Sequence, residues 1–224
     1  MVIKPIAHIE NDYTSKFAVP RQSCLENSLK SRIVFEGEYG REEAFRGLDG
    51  FSHLWIIWEF DLNSHPANSL SVRPPRLGGN EKMGVFATRS PFRPNPLGLS
   101  SVKLEEIERC ENGKIQLIVS GADLVNGTPI YDIKPYIKFS DCHEDAVSGF
   151  AGKKMNYSLK VEIPQELSDK FEHEKQEALI KILSADPRPA YHTDGRAYGF
   201  QFADREIKFK VEDGTLTVLE IENE

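Results

Sequence analysis

The chain has 224 residues, of which 39% are hydrophobic and 28% charged, with a formal net charge of −7. That is ordinary for a globular protein and leaves room for one large domain or a domain with a smaller appendage. The acidity argues against a protein that coats nucleic acid without discrimination. The longest apolar run, Leu54 to Trp58, is far too short to cross a bilayer. "MVIKPIAHIE" lacks both the basic start and the apolar stretch of a secretion signal, so a cytoplasmic location away from membranes is expected. Cys24, Cys110 and Cys142 are widely spaced and odd in number, which reads as reduced thiols. The histidines form no metal-type pair, so no metal site is expected.

In chain order, "VIKPIAHI", "SRIVFEG", "FSHLWIIWEF", "MGVFAT", "LSSVKLEEI" and "KIQLIVSGADL" read as short strands separated by Gly, Pro and Asn. Only "GREEAFRGLDG" suggests a helical turn or two among them. This pattern predicts a mostly antiparallel barrel or sandwich. In "FSHLWIIWEF", Phe51, His53, Trp55 and Ile57 share one face and Leu54, Ile56, Trp58 and Phe60 the other. A strand apolar on both faces is expected to be covered on both, by a core and by a second layer or partner. His53 reads as a satisfied core histidine.

A polar stretch from Ser140 to Asn156 reads as a linker. One helix is predicted over "QELSDKFEHEKQEALIKIL", with Leu167, Phe171, Ala178 and Ile182 on its apolar stripe and Pro187 beyond its end. "YGFQFADREIKFKVEDGTLTVLEI" reads as strands: Ile207, Phe209 and Val211 alternate, "EDG" turns, and Leu216 and Val218 return. This appendage is too small to be stable alone and should pack on something.

Charge is unevenly placed. From Ser71 to Lys103 six basic residues face one acidic residue, whereas the stretch from Asp204 carries seven acidic against three basic. Within the basic region lies "FATRSPFRPNPLGLSSV". Pro91, Pro94 and Pro96 cannot donate ladder hydrogen bonds and push their preceding residues toward extended backbone, so this is a stiff loop rather than a central strand. Such a loop avoids most of the ordering cost of binding, about 1–2 kcal/mol per residue. It can hold Arg89 and Arg93 for a carboxylate or phosphate, or the arginines can simply pin a turn. The residues alone leave both readings open.

"MGVFATRSPFRPNPLGLSSVKL" resembles the signature of the TsaA-like, or TrmO, family, the S-adenosylmethionine-dependent tRNA methyltransferases built on a β-barrel. "KFAVPRQ" at 16–22, "GFSHLWIIWEF" at 50–60, "VRPPRLGGN" at 72–80 and "NGTPIYDIKPY" at 126–136 resemble further family blocks in the same order. "DPRPAY" at 186–191 with "YGFQFADREIKF" resembles the C-terminal extension of the longer bacterial-type members. The resemblance implies a mostly β protein, with an antiparallel barrel over 1–155 that binds cofactor and a small α+β C-terminal domain over 156–224 that contacts tRNA. It implies methylation of the exocyclic nitrogen of a threonylcarbamoyl-modified adenosine 3′ of the anticodon, notably in threonine tRNA, by a homodimer.

By the same resemblance, S-adenosylmethionine is held by Pro20, Arg21, Gln22, Arg89, Leu99 and Ile130, Tyr131, Asp132 and Ile133. Two further family contacts, often His-Gln, fall here on Asp61 and Leu62. Arg21 and Arg89 suit the methionine carboxylate, Asp132 the ribose or sulfonium, and Leu99 and Ile130 apolar walls. Asp132 is also the candidate to orient the acceptor amine or take its proton. Arg73, Arg76, Arg93, Arg188 and Tyr191 are the candidate RNA contacts. The chain has no G-x-G, the mark of the doubly wound methyltransferases, so the cofactor rests on the resemblance. A barrel that binds the same cofactor without methyl transfer, and one with a different acceptor, are the alternatives.

Overall fold

The structure is a computed structural model that describes residues 2–63, 69–74, 81–152, 157–188 and 195–223. Its first part is a closed barrel of six strands: β1 (Ala7–Glu10), β2 (Lys30–Phe35), β3 (His53–Glu59), β6 (Leu97–Arg109), β7 (Ile115–Ser120) and β8 (Pro129–Pro135). The cyclic order is β1-β2-β7-β6-β3-β8, and every pairing is antiparallel. Closure removes the unpaired edges that an open sheet would leave exposed. The short pair β4 (Ser71–Val72) and β5 (Met83–Gly84) lies outside the barrel.

The two-residue periodicity of β3 appears in its burial: Leu54, Ile56 and Trp58 point inward, while His53, Trp55, Ile57 and Glu59 are half-buried on the outer face. The barrel core joins Ile9, Ile33, Leu54, Ile56, Val102 and Leu117, all with 0% exposure. Pairing of β3 with β8 slips by one residue between Ile57 and Trp58, a bulge that displaces Tyr131 from the ladder.

The second part is a four-stranded sheet in the order β10-β11-β12-β9, made by β9 (Lys160–Glu162), β10 (Ala197–Phe202), β11 (Arg205–Glu212) and β12 (Thr215–Asn223). It is covered by α4 (His173–Ser184), which buries Ala178, Leu179, Ile182 and Leu183. Ile207, Phe209, Val211, Leu216 and Val218 alternate into the same core. That core also recruits Tyr13, Ala18 and Leu29 from the segment between β1 and β2. The two parts are tied there by Ala203 N donating to the Asp12 carbonyl at 3.1 Å and Lys175 meeting Asp12 at 3.1 Å. The appendage thus packs on the long β1–β2 connection, as its small size required.

Several expectations change. "MGVFAT" is not a strand beyond Gly84, because Val85–Ala87 tightens into a 3₁₀ turn and buries Val85. The single predicted helix is two, α3 (Gln165–Ser168) and α4, separated by the 169–172 turn. Gln176 accounts for part of that break, since its amide donates to the Ser168 and Phe171 carbonyls at 3.0 and 2.7 Å. The polar linker carries two single-turn helices, α1 (Lys138–Asp141) and α2 (Gly149–Gly152). Asp141 of α1 accepts the Trp55 indole N–H at 2.8 Å, so α1 supplies part of the second cover over β3. His53 is not a core residue. It stands half-buried on the outer face, with Nδ1 2.9 Å from Ser52 Oγ. β8, which closes the barrel, was not foreseen as a strand because its two prolines and mixed burial hide the alternation.

Candidate functional site

The proline loop is rigid by construction. Arg93 Nη1 donates back to the Thr88 carbonyl at 3.0 Å, Leu97 N to the Asn95 carbonyl at 2.7 Å, and Phe60 N to the Pro96 carbonyl at 2.9 Å. Arg93 therefore pins the loop on which it sits. Arg89 is exposed and reaches sideways, its Nη1 donating to Gln22 Oε1 at 2.6 Å. Gln22 Nε2 in turn donates to the Arg21 carbonyl at 2.7 Å. The two opening motifs, "PRQ" and "RSPFRPNP", are thereby one unit although 67 residues separate Gln22 from Arg89.

β7 ends at Ser120 opposite Lys103, and the segment around Cys24 continues along the edge of β6 that β7 leaves. Cys24 N donates to the Gly121 carbonyl at 2.9 Å and its thiol to the Ser101 carbonyl at 3.3 Å. On the barrel's outer face, register pairs Ile57 with Leu99 on one side and with Asp132 on the other. Leu99, Ile57 and Asp132 thus form one row, with Leu99 and Asp132 about 10 Å apart at two strand spacings. Leu99 is 55% exposed. The row offers an apolar floor, an acid at one end, and the Arg89–Gln22 unit beyond the other.

Asp132 is engaged: one oxygen meets Lys134 Nζ at 2.8 Å, and the other accepts the Ile133 N–H at 2.9 Å. The bulged Tyr131 donates its hydroxyl to Glu59, which, with burial and the Glu59 charge, pushes its pKa up to about 12. Asp61 lies nearby. Burial pushes its carboxyl up, with the Glu59 charge adding to the effect and backbone hydrogen bonds opposing it. The Leu62 carbonyl accepts Lys16 Nζ at 2.5 Å. Glu59, Asp61 and Tyr131 make an acidic corner beside the row. Sequence reasoning missed Glu59, although it follows Trp55 and Ile57 at the same two-residue spacing.

Ile130 has 0% exposure and Ile133 packs against the barrel core, so these side chains face away from any ligand on the outer face. Pro20 and Arg21 face a neighbouring cleft that Pro91 of the proline loop also borders. With Lys16, Phe17, Lys181 and Arg188 they line this cleft of about 480 Å³ between the β1–β2 connection and the end of α4. Arg21 Nη2 donates to the Asp186 carbonyl. Arg188 grips the Asp186 carboxylate in a fork, Nε–Oδ1 2.8 Å and Nη2–Oδ2 2.9 Å, and Tyr157 adds a hydroxyl at 2.8 Å. Burial opposes ionisation of Asp186, but these hydrogen bonds and the Arg188 charge hold its carboxyl below the usual range. Arg188 is thus a clamp in the structure, its side chain only 11% exposed. Arg73 is exposed just past β4; Arg76 and Tyr191 lie outside the described residues.

Residues 8–142 match the profile of the tRNA-methyltransferase O N-terminal domain, and residues 156–224 that of the TrmO C-terminal domain. The chain belongs to the tRNA-methyltransferase O family. It is 39% identical, over 97% of its length and 96% of the relative's, to a tRNA (adenine(37)-N6)-methyltransferase of Escherichia coli. It is 33% identical to an S-adenosyl-L-methionine-binding protein of Archaeoglobus fulgidus, which covers 63% of this chain and is itself covered over 94%. The crystal structure of TrmO from Pseudomonas aeruginosa superimposes with a TM-score of 0.79 at 29% identity, covering 100% of this chain and 97% of that one. The superposition spans both the barrel and the C-terminal sheet of this chain.

Proposed function

We propose that the protein transfers a methyl group from S-adenosylmethionine to the exocyclic N6 of the adenosine 3′ of the anticodon in tRNA. The base it acts on carries a threonylcarbamoyl group, and threonine tRNA is the first candidate. The observation that supports this reading most is the joining of Arg89 to Gln22 beside the Leu99–Ile57–Asp132 row. Cations for a carboxylate, an apolar floor and an acidic end suit the three parts of this cofactor. When bound, the cofactor would supply a sulfonium methyl: the S–C bond breaks to leave a neutral thioether as the N–C bond forms, and the N6 proton is lost to water.

In this reading Arg21 and Arg89 hold the carboxylate end and Leu99 the adenine or thioether face. Asp132 and the Glu59–Asp61 corner stand toward the positive sulfur or the ribose. Asp132, paired with Lys134, orients the acceptor rather than acting as a free base. The exocyclic amine is a poor nucleophile, and alignment at about 3–3.5 Å carries much of the rate. The cleft between Lys16, Phe17 and Lys181 receives the RNA strand, with Arg73 beyond it, because stacking on an exposed aromatic beside cations is the usual hold on an unstacked loop. The barrel over 1–155 and the C-terminal piece over 156–224 divide cofactor and tRNA between them. A homodimer and a cytoplasmic site of action complete the proposal.

The test is incubation with labelled S-adenosylmethionine and unfractionated tRNA, with and without the threonylcarbamoyl modification, followed by nucleoside analysis. Label on the modified adenosine is expected. Cofactor binding without any label would favour the second reading, a non-enzymatic binder; the Archaeoglobus relative, named for S-adenosyl-L-methionine binding, matches 63% of this chain.

A further inference from the structure

We propose that Asp123 is the positioning residue of the cofactor loop: its carboxylate ties the Pro20–Ser23 segment, and the Arg89–Gln22 pair on it, to the interior of the barrel. Asp123 follows β7 in "SGADL", where Gly121 turns the chain at φ +79°. A Cβ at Gly121 would lie 2.6 Å from Asn27 Oδ1 and 3.2 Å from the Cys24 backbone, so this turn is pressed against the 23–27 segment. That placement brings Asp123 between the barrel interior and the loop. On the interior side, the Trp58 indole N–H donates to Ser100 Oγ at 2.9 Å, and the Ser100 hydroxyl donates to Asp123 Oδ1. Trp58 and Ser100 are 6% and 1% exposed, so this end cannot move without disturbing the core.

On the loop side, the Ser23 backbone N–H is turned toward the same carboxylate, and it and the Arg89 charge favour the ionised form. Burial works against that form and outweighs them, leaving the carboxyl above its ordinary range. A half-buried carboxylate with two donors and a nearby arginine costs more to keep than a serine or alanine at the same place. Its return is geometric. One group fixes both the backbone next to Gln22 and the charge that faces Arg89. No other acidic side chain among the described residues links the barrel core to this loop.

The inference rests on the reading that the 20–22 loop holds the methyl donor, and the test separates the two. S-adenosylmethionine affinity is measured by calorimetry on the full chain for wild type, Gln22→Ala, Asp123→Asn, Ser100→Ala and the Ser100→Ala/Asp123→Asn double variant. Steady-state KM values for donor and tRNA, and thermal midpoints, are measured alongside. An asparagine offers one acceptor where the carboxylate serves two donors and loses the charge facing Arg89. Asp123→Asn should therefore weaken donor affinity about tenfold, the size of one lost charge-assisted hydrogen bond. The donor KM should rise in step, with the tRNA KM unchanged. Ser100→Ala should show a smaller loss, and the double variant should be no worse than Asp123→Asn, because both cut the same chain.

Wild-type donor affinity in Asp123→Asn, with Gln22→Ala impaired, would overturn the role of Asp123 and leave the loop reading standing. Unchanged affinity in Gln22→Ala would instead remove the loop reading itself and this inference with it. Fully additive losses, or equal rises in both KM values, would mark Asp123 as a general fold residue and overturn the proposal. Should Asp123→Asn fail to fold, Ser100→Ala decides alone: a donor affinity lowered with tRNA KM intact supports the tie, and wild-type affinity refutes it.

Discussion

Gly98 lies directly across β3–β6 from Trp58, and the indole folds over it. A Cβ built at Gly98 falls 2.2 Å from Trp58 Cε2, 2.5 Å from Cζ2 and 2.6 Å from Cδ2. Carbon contacts settle at about 3.5 Å or more, so in Gly98→Ala the ring must move by roughly 1.3 Å. It is not free to do so. Trp58 is 6% exposed, packs against Phe60 with ring centroids 4.3 Å apart, and donates to Ser100. Overpacking costs about 1–3 kcal/mol and the strained hydrogen bond about 1 kcal/mol, offset by roughly 0.4–1 kcal/mol from the stiffer unfolded chain. The net loss is about 2.5 kcal/mol, which for a chain of this size lowers Tm by about 7 °C. Thermal unfolding followed by circular dichroism reads it directly. A combined Trp58→Phe/Gly98→Ala variant should lose less than the sum of its parts, since the smaller ring vacates the space. A Gly98→Ala midpoint at or above wild type would refute the reasoning, because alanine without a clash would stabilise a strand.

Arg188→Ala should destabilise the fold by about 3 kcal/mol, at the low end for breaking a buried ion pair because Tyr157 stays on Asp186. It should also weaken donor binding, since the Asp186 carbonyl holds Arg21. Calorimetry showing full donor affinity with only tRNA methylation impaired would instead make Arg188 a direct RNA contact. Tyr131 should form its phenolate near pH 12 rather than 10, and Glu59→Gln should bring that titration back toward the ordinary range. The raised pKa stabilises the folded state below pH 10, and this contribution is lost as pH rises through about 12. Phenolate absorbance of wild type minus Tyr131→Phe checks it; an ordinary titration would remove the Glu59 contact.

Much was visible in the order of residues alone. The two-residue alternation of β2, β3, β11 and β12 is a local property, because successive side chains point to opposite faces whatever the partner strand. The stiffness of the proline loop is local too, since proline restricts its own backbone and that of the residue before it. The family blocks also named Leu99 and Asp132, which the register sets in one row on the outer face. What they could not convey is which side each residue takes. Ile130 and Ile133 belong to the same block as Asp132, yet the strand turns them into the core. Arg188, expected to meet RNA, is spent on Asp186.

The remaining decisions depend on contacts between distant parts of the chain. Barrel closure needs β8 beside both β1 and β3, and its prolines disguise it until those neighbours are in place. Asp123 is one acid among 35 acidic residues until folding brings Ser100 to it from 23 residues away. Arg21 meets the Asp186 carbonyl across 165 residues. Local patterns record which face a side chain can take, but a desolvated carboxylate acquires its partners only when separate strands and loops close around it.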